Sequence, residues 1–227
     1  MKRFLVLSCS VAISALFFHA CSSSDDSMID APLTRADAVS EKIVFQDDFN
    51  QVDSIPDRNK WSLCKKGSPA WSKYLSESYD QAYVHDGKLV LVAEKVNGVY
   101  KTGGVQSLGK AEFQYGKIEI CARFTKTAKG GWPAIWMMPA KPVYSGWPAC
   151  GEIDIMEQLN HDGIVYQTIH SHYKNDLGFT KPVPTKTVSY NKGQFNIFGI
   201  EWTPEALTFK VNGATTLVLS LIHISEP

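Results

Sequence analysis

The feature that most constrains the fold is a series of short segments in which apolar and polar residues alternate. The seven clearest segments are residues 42–49, 87–95, 116–124, 151–158, 164–173, 194–202 and 206–213. Turn-forming pairs such as Asp86-Gly87 and Asn212-Gly213 separate them. No stretch shows sustained 3.6-residue periodicity, and the sequence contains no internal repeat. The pattern predicts an all-β domain built as a sandwich or a barrel.

Alternation in the segment 116–124 also predicts which side chains share a face. The apolar side chains of one face are those of Ile118, Ile120, Ala122 and Phe124. The other face carries Glu119, Cys121 and Arg123. We expect the first face to enter a core between two sheets and the second to meet solvent or a cleft.

The charge balance limits the classes of ligand. Lys plus Arg and Asp plus Glu number 23 each, which gives no electrostatic argument for binding nucleic acid or an anionic membrane surface. The chain also contains 6 Trp, 9 Tyr and 11 Phe. An uncharged ligand held by stacking suits this composition better than a phosphate backbone does.

Three carboxylates crowd one apolar segment, ACGEIDIMEQ, at residues 149–158. Glu152 and Asp154 are two residues apart, so a regular strand points them the same way. Glu157 lies an odd number of residues from Glu152, so a regular strand would point it the other way. One β-bulge between Asp154 and Glu157 brings all three onto one face, and bulges are frequent beside active sites.

Such a row of carboxylates favours acid–base chemistry. Like charges repel and desolvation raises carboxyl pKa values, so one carboxyl can stay ionised while another stays protonated. Glycoside hydrolysis uses such a pair, and a retaining mechanism needs the two groups about 5–5.5 Å apart. Two alternatives remain open. One is a solvated acidic strand face, and the other is a metal site, which the lack of a nearby His at ligand spacing disfavours.

Tryptophans flank the acidic segment. Trp132 and Trp136 lie in GGWPAIWMMP (130–139), and Trp147 lies in SGWPAC (145–150). Indole faces stack on sugar rings, so all three are candidate substrate-binding residues. Trp132 and Trp147 lie in Gly/Pro-rich loops and are the better cleft candidates, whereas Trp136 fits a core position equally well.

Taken together, these motifs resemble family 16 of the glycoside hydrolases. The resemblance rests on GEIDIMEQ, WPAIWMMP, YGKIEICARF and FGIEWTPEALTFKVNG, and it extends from about Phe45 to Val218. It implies a two-sheet β-jelly-roll sandwich, concanavalin-like, with a long substrate cleft on the concave sheet. The bulged E-x-D-x-x-E spacing is similar to that of the laminarinase-like branch. By resemblance, Glu152 is the nucleophile, Glu157 is the general acid/base, and Asp154 hydrogen-bonds Glu152 and tunes its ionisation.

Other candidates for the cleft carry less specific signals. Members of the family often place a His against the acidic cluster. His170 and His172 would share one face of a predicted strand, and His170 is the preferred candidate, with a structural role for either as the alternative. Glu119 and Arg123 either line the cleft or are solvated. Cys121 stands where relatives often carry Arg.

The implied activity is that of an endo-acting, retaining β-glucanase with a polysaccharide as its partner. It would cut β-1,3 bonds, or β-1,4 bonds next to β-1,3 linkages, in laminarin-like or mixed-linkage glucans. No cofactor is required; relatives sometimes hold a structural calcium ion, whose ligands this sequence does not show. The alternatives are a galactan-specific relative (agarase, porphyranase or carrageenase), transglycosylation, and a non-catalytic glycan-binding lipoprotein. Retention of all three carboxylates argues against the last.

Residues 1–20 resemble a bacterial lipoprotein signal peptide. A basic pair precedes an apolar run at residues 4–18, and Cys21 is the predicted lipidated residue. Residues 21–40 are predicted to be a flexible tether, and SSSDDS resembles the export tag of Bacteroides-group surface lipoproteins. We therefore expect an exported monomer held at the outer-membrane surface by its lipid alone. An ordinary secretory signal cut nearby is the alternative.

Residues 41–218 form the predicted catalytic domain, and residues 219–227 have a different interpretation. Their sequence, LSLIHISEP, can be back-translated into a common transposase sequencing adapter. On that interpretation the natural chain diverges after about Val218 and the domain is truncated at its C-terminus. A genuine apolar strand is the alternative. Three cysteines remain in the predicted domain, so at least one is free.

Overall fold

The structure is a computed structural model that describes residues 42–178 and 183–220. The predicted signal peptide, the predicted lipidation site Cys21 and the tether lie outside the described residues, as does most of the segment 219–227. From Asp47 onward the described residues belong to one compact unit, whereas residues 42–46 belong to another. No described helix is long and apolar enough to cross a lipid bilayer.

Strands dominate the described part of the chain, and its helix α1, His172–Asn175, has a single turn. The strands are β1 (Ser62–Leu63), β2 (Ala82–Val84), β3 (Leu89–Leu91), β4 (Ala93–Val96), β5 (Val99–Thr102), β6 (Val105–Gln106), β7 (Gly116–Ala122), β8 (Ala134–Met137), β9 (Glu152–Glu157), β10 (Ile164–His170), β11 (Thr185–Ser189), β12 (Asn196–Trp202), β13 (Ala206–Val211) and β14 (Ala214–Ser220).

Two four-stranded antiparallel sheets form the body of the fold. The first sheet has the order β11-β10-β9-β8, and the second sheet has the order β14-β13-β12-β7. Their inner faces enclose one core, in which Ile155 and Val165 of the first sheet pack with Phe198 and Phe209 of the second. The prediction of an all-β sandwich is confirmed.

The period-2 pattern explains how the second sheet faces the core. On β7, Ile118 and Ile120 lie opposite Ile200 and Phe198 of β12, and all four contribute to the core. The intervening residues of β7 therefore point away from the core. Alternation in the sequence predicted these faces correctly.

Among the described residues, three two-stranded ladders lie outside the main sheets: β1-β6, β2-β3 and β4-β5. Gly103, just after β5, donates its N–H to the carbonyl of Val92 at 2.9 Å. A Cβ at this position would lie 1.8 Å from the carbonyl oxygen of Gln81. Only glycine permits this close approach of two backbones.

Two predicted strands near the N-terminus differ from the structure. Residues 42–49 form no strand within the part of the chain that the structure describes, and the apolar Ile43 and Val44 are exposed there. Residues 87–95 divide into β3 and β4 at Val92, whose N–H donates to the carbonyl of Gln81 outside either ladder.

The predicted strand 164–173 is too long at its C-terminal end. β10 ends at His170 because Ser171 is the N-cap of α1. The hydroxyl of Ser171 accepts a hydrogen bond from the backbone N–H of Lys174 at 3.3 Å.

Two of the strands that were not predicted from the sequence are β8, which pairs with β9, and β14, which ends the described residues. β8 escaped prediction because the five residues between Pro133 and Pro139 are all apolar and do not alternate. β14 extends two residues into the segment 219–227. Leu219 pairs with Leu207 and is buried in the core.

Candidate active site

A β-bulge in β9 shapes the candidate site. Across from β8, Asp154 lies opposite Trp136 and Met156 lies opposite Ile135, so Ile155 is an extra residue in β9. The register between β9 and β10 shifts at the same place. The bulge that the carboxylate spacing predicts is therefore present.

The bulge lets three carboxylates share the outer face of the first sheet. Ile155 and Met156 both enter the core, and Glu157 emerges on the side of Glu152 and Asp154. Asp154 is 1% exposed, whereas the two glutamates are partly exposed. One buried carboxyl thus lies between two that a ligand can reach.

Gln167 supports the bulge from inside the sandwich. Its side-chain amide donates to the carbonyl oxygen of Ile155 at 3.2 Å, which satisfies a backbone group at the bulge. The hydroxyl of Thr216 on β14 donates to the side-chain oxygen of Gln167, so this contact links the two sheets. Sequence analysis missed Gln167. The available signal was a polar residue between Val165 and Ile169 on an otherwise apolar face.

Each glutamate accepts an indole N–H from a different loop. Nε1 of Trp132 donates to Oε1 of Glu157 at 2.6 Å, and Nε1 of Trp147 donates to Oε2 of Glu152 at 2.7 Å. The two tryptophans are 52% and 61% exposed, so their rings remain available to a ligand while their N–H groups hold the carboxylates.

The loop that carries Trp132 is anchored to the turn after β9. Gln158 is fully buried, and its amide donates to three carbonyls of that turn at 3.0–3.2 Å. The side chain of Asn160 accepts the N–H of Gly130 at 2.8 Å, and its own N–H donates to the carbonyl of Gly131 at 2.9 Å. These hydrogen bonds therefore hold the loop that carries Trp132 against the turn that follows β9.

His170 lies opposite Glu152 in the ladder between β9 and β10. Its Nε2 is 3.4 Å from Oδ2 of Asp154, and the indole of Trp147 lies against its ring with centroids 5.3 Å apart. The nearby carboxylate of Asp154 raises the pKa of His170 above its ordinary value. The structure therefore brings His170 into contact with the carboxylate cluster.

Both glutamates hold their protons more tightly than an exposed carboxyl does. Burial raises the pKa of Glu152 to about 7, and the negative charge of Asp154 adds to this effect. Burial also raises the pKa of Glu157, again with a contribution from Asp154. The indole N–H groups and His170 act in the opposite sense because they stabilise the ionised forms. The charge of Asp154 thus favours the protonated form of each glutamate.

Trp136 lies beside Asp154 on the outer face, across the ladder between β8 and β9. Its ring packs edge-on against Trp71, with centroids 5.1 Å apart. Trp71 is 48% exposed and was not among the predicted site residues. Its setting, GSPAWSK, is a Gly/Pro loop like those of Trp132 and Trp147, so the same criterion could have found it.

The prediction that His172 shares a strand face with His170 is wrong. His172 opens α1, and its Nδ1 lies 2.6 Å from Oδ2 of Asp176. Its ring stacks on Tyr144 with centroids 4.2 Å apart. Tyr144 belongs to the loop between β8 and β9 that also carries Trp147, so His172 supports that loop.

The prediction that Glu119 and Arg123 line the cleft is also wrong. Glu119 lies on β7 and Arg123 directly follows that strand, and each lies between core residues of the second sheet's segment, whereas the carboxylates lie on the first sheet. Glu119 pairs with Lys117 at 3.1 Å. The guanidinium of Arg123 lies over the ring of Phe195 at 4.6 Å.

Two groups of described residues bring three possible metal ligands within 4.8 Å of one another. They are Glu152, Asp154 and His170, and the solvent-exposed set Asp53, His85 and Asp86. Three ligands supply half or less of the roughly 6–8 oxygens that calcium takes. Among the described cysteines, Cys64 and Cys150 carry free thiols.

Comparison of the sequence with known proteins gives relatives of two substrate classes. The chain is 36% identical over 181 residues to the keratan-sulfate endo-1,4-beta-galactosidase of Sphingobacterium multivorum, covering 76% of this chain and 42% of that protein. It is 31% identical over 182 residues to the beta-glucanase of Rhodothermus marinus, covering 75% of this chain and 63% of that protein. The chain thus spans less than two thirds of the length of either relative.

Solved structures share the fold. The laminarinase from Rhodothermus marinus superposes with a TM-score of 0.71 at 28% identity, over 82% of this chain and 77% of that one. A structure reported with endo-acting O-glycanases, which prominent members of the human gut microbiota express to initiate mucin breakdown, gives 0.70 at 35% identity, over 81% and 77%. The family model for glycosyl hydrolases family 16 matches residues 71–221. The chain belongs to family 16 of the glycosyl hydrolases.

Proposed function

We propose that this protein is an endo-acting, retaining β-glycosidase. The observation that carries the proposal is the pair Glu152 and Glu157 on one bulged strand, flanking the buried Asp154. Retaining glycosidases need a nucleophilic carboxylate and an acid/base carboxyl on the same cleft face. The exposed indoles of Trp132 and Trp147 contact these two carboxylates, and their faces are available to stack on sugar rings.

The reaction has two steps. In the first, the carboxylate of Glu152 forms a bond to the anomeric carbon as the glycosidic C–O bond breaks, and the proton of Glu157 moves to the leaving oxygen. In the second, the carboxylate of Glu157 takes a proton from water, whose oxygen displaces Glu152 from the anomeric carbon. The two carboxyl groups and water supply the nucleophiles and the protons of both steps, so the proposed reaction requires no cofactor.

The neighbours of Glu152 fit the nucleophile role. The indole of Trp147 donates a hydrogen bond to the carboxylate of Glu152, and the positive charge of protonated His170 lies nearby. Both favour the ionised form of Glu152, which is the form that attacks. Burial and Asp154 oppose them and raise the proton affinity of the cluster. Groups that lower and groups that raise the pKa of Glu152 therefore lie side by side in this site.

The first candidate substrate is a β-1,3-glucan or a mixed-linkage β-1,3/1,4-glucan. The beta-glucanase and the laminarinase of Rhodothermus marinus support this choice, since the first resembles this chain in sequence and the second resembles it in fold. The neutral charge balance and the exposed tryptophans suit an uncharged glucan chain.

A second candidate is a glycan with β-galactosidic bonds, and a specific observation favours it. The identities to the keratan-sulfate endo-galactosidase and to the O-glycanase-related structure, 36% and 35%, exceed the 31% and 28% found for the beta-glucanase and the laminarinase. This candidate keeps the same two carboxylates and the same reaction, and differs only in the sugar bound beside them.

Product analysis tests both candidates. The protein is incubated with laminarin, mixed-linkage β-glucan, keratan sulfate and mucin O-glycans, and the oligosaccharides are separated and sequenced. We expect internal cleavage of one class, and Glu152→Gln and Glu157→Gln each to lower kcat about a hundredfold or more. Glu205→Gln, an exposed carboxyl before β13, is the matched control. Cleavage that survives Glu152→Gln would rule out the assigned nucleophile.

A further inference from the structure

We propose that an anionic glycan chain extends from the catalytic centre along an aromatic strip formed by Trp71, Tyr74 and Tyr100, and that Lys73 and Lys95 bind its negative groups. The ligand chemistry is a sugar polymer that carries sulfate or carboxylate substituents. The inference rests on the proposed glycosidase function, and it names the part of the substrate that lies beyond the reacting bond.

The strip begins at the catalytic strand. Trp136 lies directly opposite Asp154, and Trp71 packs edge-on against Trp136. Trp71 is itself 48% exposed, so its ring is available to a ligand on its outer side. A sugar bound beside Asp154 would therefore have a further indole within reach.

The next ring of the strip, that of Tyr74, lies three residues beyond Trp71 in the sequence. Trp71 and Tyr74 belong to one backbone turn, in which the N–H groups of Ser72 and Lys73 both donate to the carbonyl of Pro69 at 3.0 Å. The ring of Tyr74 packs against that of Tyr100, with centroids 5.6 Å apart.

The backbone fixes this second pair of rings. The N–H of Thr102 donates to the carbonyl of Tyr74 at 2.8 Å, which holds the β4–β5 hairpin against the turn. Tyr74 and Tyr100 are 41% and 56% exposed. The side chains of Trp71, Tyr74 and Tyr100 are therefore each close to half exposed. Exposed apolar surface of this kind costs free energy when nothing covers it.

Two ammonium groups lie on the strip. Nζ of Lys73 is 4.9 Å from the centroid of Tyr74, and Nζ of Lys95 is 5.2 Å from the centroid of Tyr100. Within the described parts of the chain, neither lysine forms an ion pair with a carboxylate. Their charges therefore remain available to an anionic ligand.

The nearby carboxylates are directed elsewhere. Lys95 and Tyr100 are cross-strand partners and share one face of the hairpin, whereas Glu94 lies on the opposite face and accepts a hydrogen bond from Gln81. Glu77, close to Tyr74 in sequence, accepts the backbone N–H of Lys66 at 2.8 Å. Rings that stack on sugars thus alternate with cations, which suits a charged glycan better than a neutral one.

The test measures binding without turnover. The full chain with Glu152→Gln is titrated calorimetrically with keratan sulfate, the same polymer after chemical desulfation, sialylated mucin O-glycans and laminarin, at low and high salt. Three double variants are built on this background: Lys73→Gln with Lys95→Gln, Lys73→Arg with Lys95→Arg, and Tyr74→Ala with Tyr100→Ala. Lys117→Gln and Phe195→Ala, on or beside the second sheet, are the matched controls.

We expect the glutamine pair to weaken binding of a charged glycan about two- to tenfold at low salt, with the difference shrinking at high salt and no change on the uncharged polymers. The arginine pair should restore binding, and the tyrosine pair should weaken binding of charged and uncharged polymers alike. A loss confined to keratan sulfate identifies sulfate as the bound group, and a loss confined to the sialylated glycans identifies carboxylate.

Two results would overturn the inference: charged glycans that bind the glutamine pair within error of its background, or equal losses on charged and uncharged polymers. Hydrolysis of any of the polymers by the wild-type protein, with binding of the charged glycans unaffected by the lysine substitutions, would overturn the inference and leave the glycosidase proposal standing. Charge-dependent binding without hydrolysis of any polymer would do the reverse.

Discussion

Glu152 and Glu157 lie on one strand, but different side chains hold them. Glu152 accepts the indole of Trp147 and lies beside His170, whereas Glu157 accepts only the indole of Trp132 among the described side chains. The two carboxyls therefore differ in how strongly their ionised forms are stabilised. Substitutions of the neighbours should move the two limbs of the pH profile separately.

Asp154→Asn should move the acid limb of kcat/KM to lower pH. The negative charge of Asp154 raises the pKa of Glu152, which stands at about 7, so its removal lets Glu152 ionise at a lower pH. Activity should also fall, since Asn cannot keep the charge that His170 faces. A pH profile between about 4 and 9 measures the shift. An acid limb that stays in place would show that another group controls it, and Asp176→Asn is the control.

Trp147→Phe should move the same limb in the opposite direction. The indole N–H stabilises the ionised form of Glu152, so losing it raises the pKa of Glu152 further and shifts the acid limb to higher pH. Trp132→Phe should act through the pKa of Glu157 instead, which it raises by the same reasoning. If both substitutions moved the acid limb equally, the two indoles would not discriminate between the carboxyls.

At the scale of the element, the bulge of β9 decides which residues share a face. The spacing of Glu152, Asp154 and Glu157 was enough to predict it, because a strand has a period of two and only an added residue repairs the odd interval. His172 was misplaced for a related reason. Alternation cannot show that Ser171 stops a strand, since the same residue types continue across the boundary.

The sequence could not show how the loops reach the site. The N–H bonds from Trp132 and Trp147 depend on turns anchored by contacts distant in sequence, such as those of Gln158 and Asn160. Local patterns carry the period of a strand, but the direction of a loop depends on tertiary contacts. The two tryptophans were identified as cleft candidates, yet their hydrogen bonds to the carboxylates were not foreseen.

Gln167→Leu should destabilise the fold by about 1–3 kcal/mol, because it leaves the carbonyl of Ile155 buried without its donor. It should also lower kcat, since the bulge sets the direction of Glu157. Thr216→Val removes the hydroxyl that contacts Gln167 and the carbonyl of Phe209 but leaves the bond from Gln167 to Ile155 in place, so it should lower kcat less. Urea denaturation and kcat at one pH measure both effects. A Leu variant as stable and active as Thr216→Val would show that the bulge needs no support from Gln167.

At the scale of the whole molecule, the site works against stability. The folded protein holds Glu152 partly buried beside the buried Asp154, and the pKa of Glu152 is raised to about 7. A raised carboxyl pKa favours the protonated form in the folded state, so this group's contribution to stability is present at low pH and is lost as pH rises from about 4.5 through about 7. Active sites often impose such a cost.

Glu152→Gln should therefore stabilise the protein more at pH 8 than at pH 5. The full linkage would amount to about 3 kcal/mol, and since the carboxyl is half exposed we expect about 1 kcal/mol after screening. Denaturant titrations at both pH values measure the difference, with Glu205→Gln as the control. Equal stabilisation at the two pH values would mean that the gain does not come from the charge of Glu152.

The two carboxylates proposed to react and the residue between them belong to one six-residue strand, β9, whereas Trp71, Trp132 and Trp147 come from separate loops. The residues proposed to carry out the reaction are thus contiguous in sequence, whereas those proposed to bind the sugar lie in several separate segments. Exchanging the segments that carry Trp71, Trp132 or Trp147 among relatives should redirect the protein to new glycans without rebuilding the reaction. Divergence into enzymes for glucans and for galactose-containing chains is the outcome that such a division of labour permits.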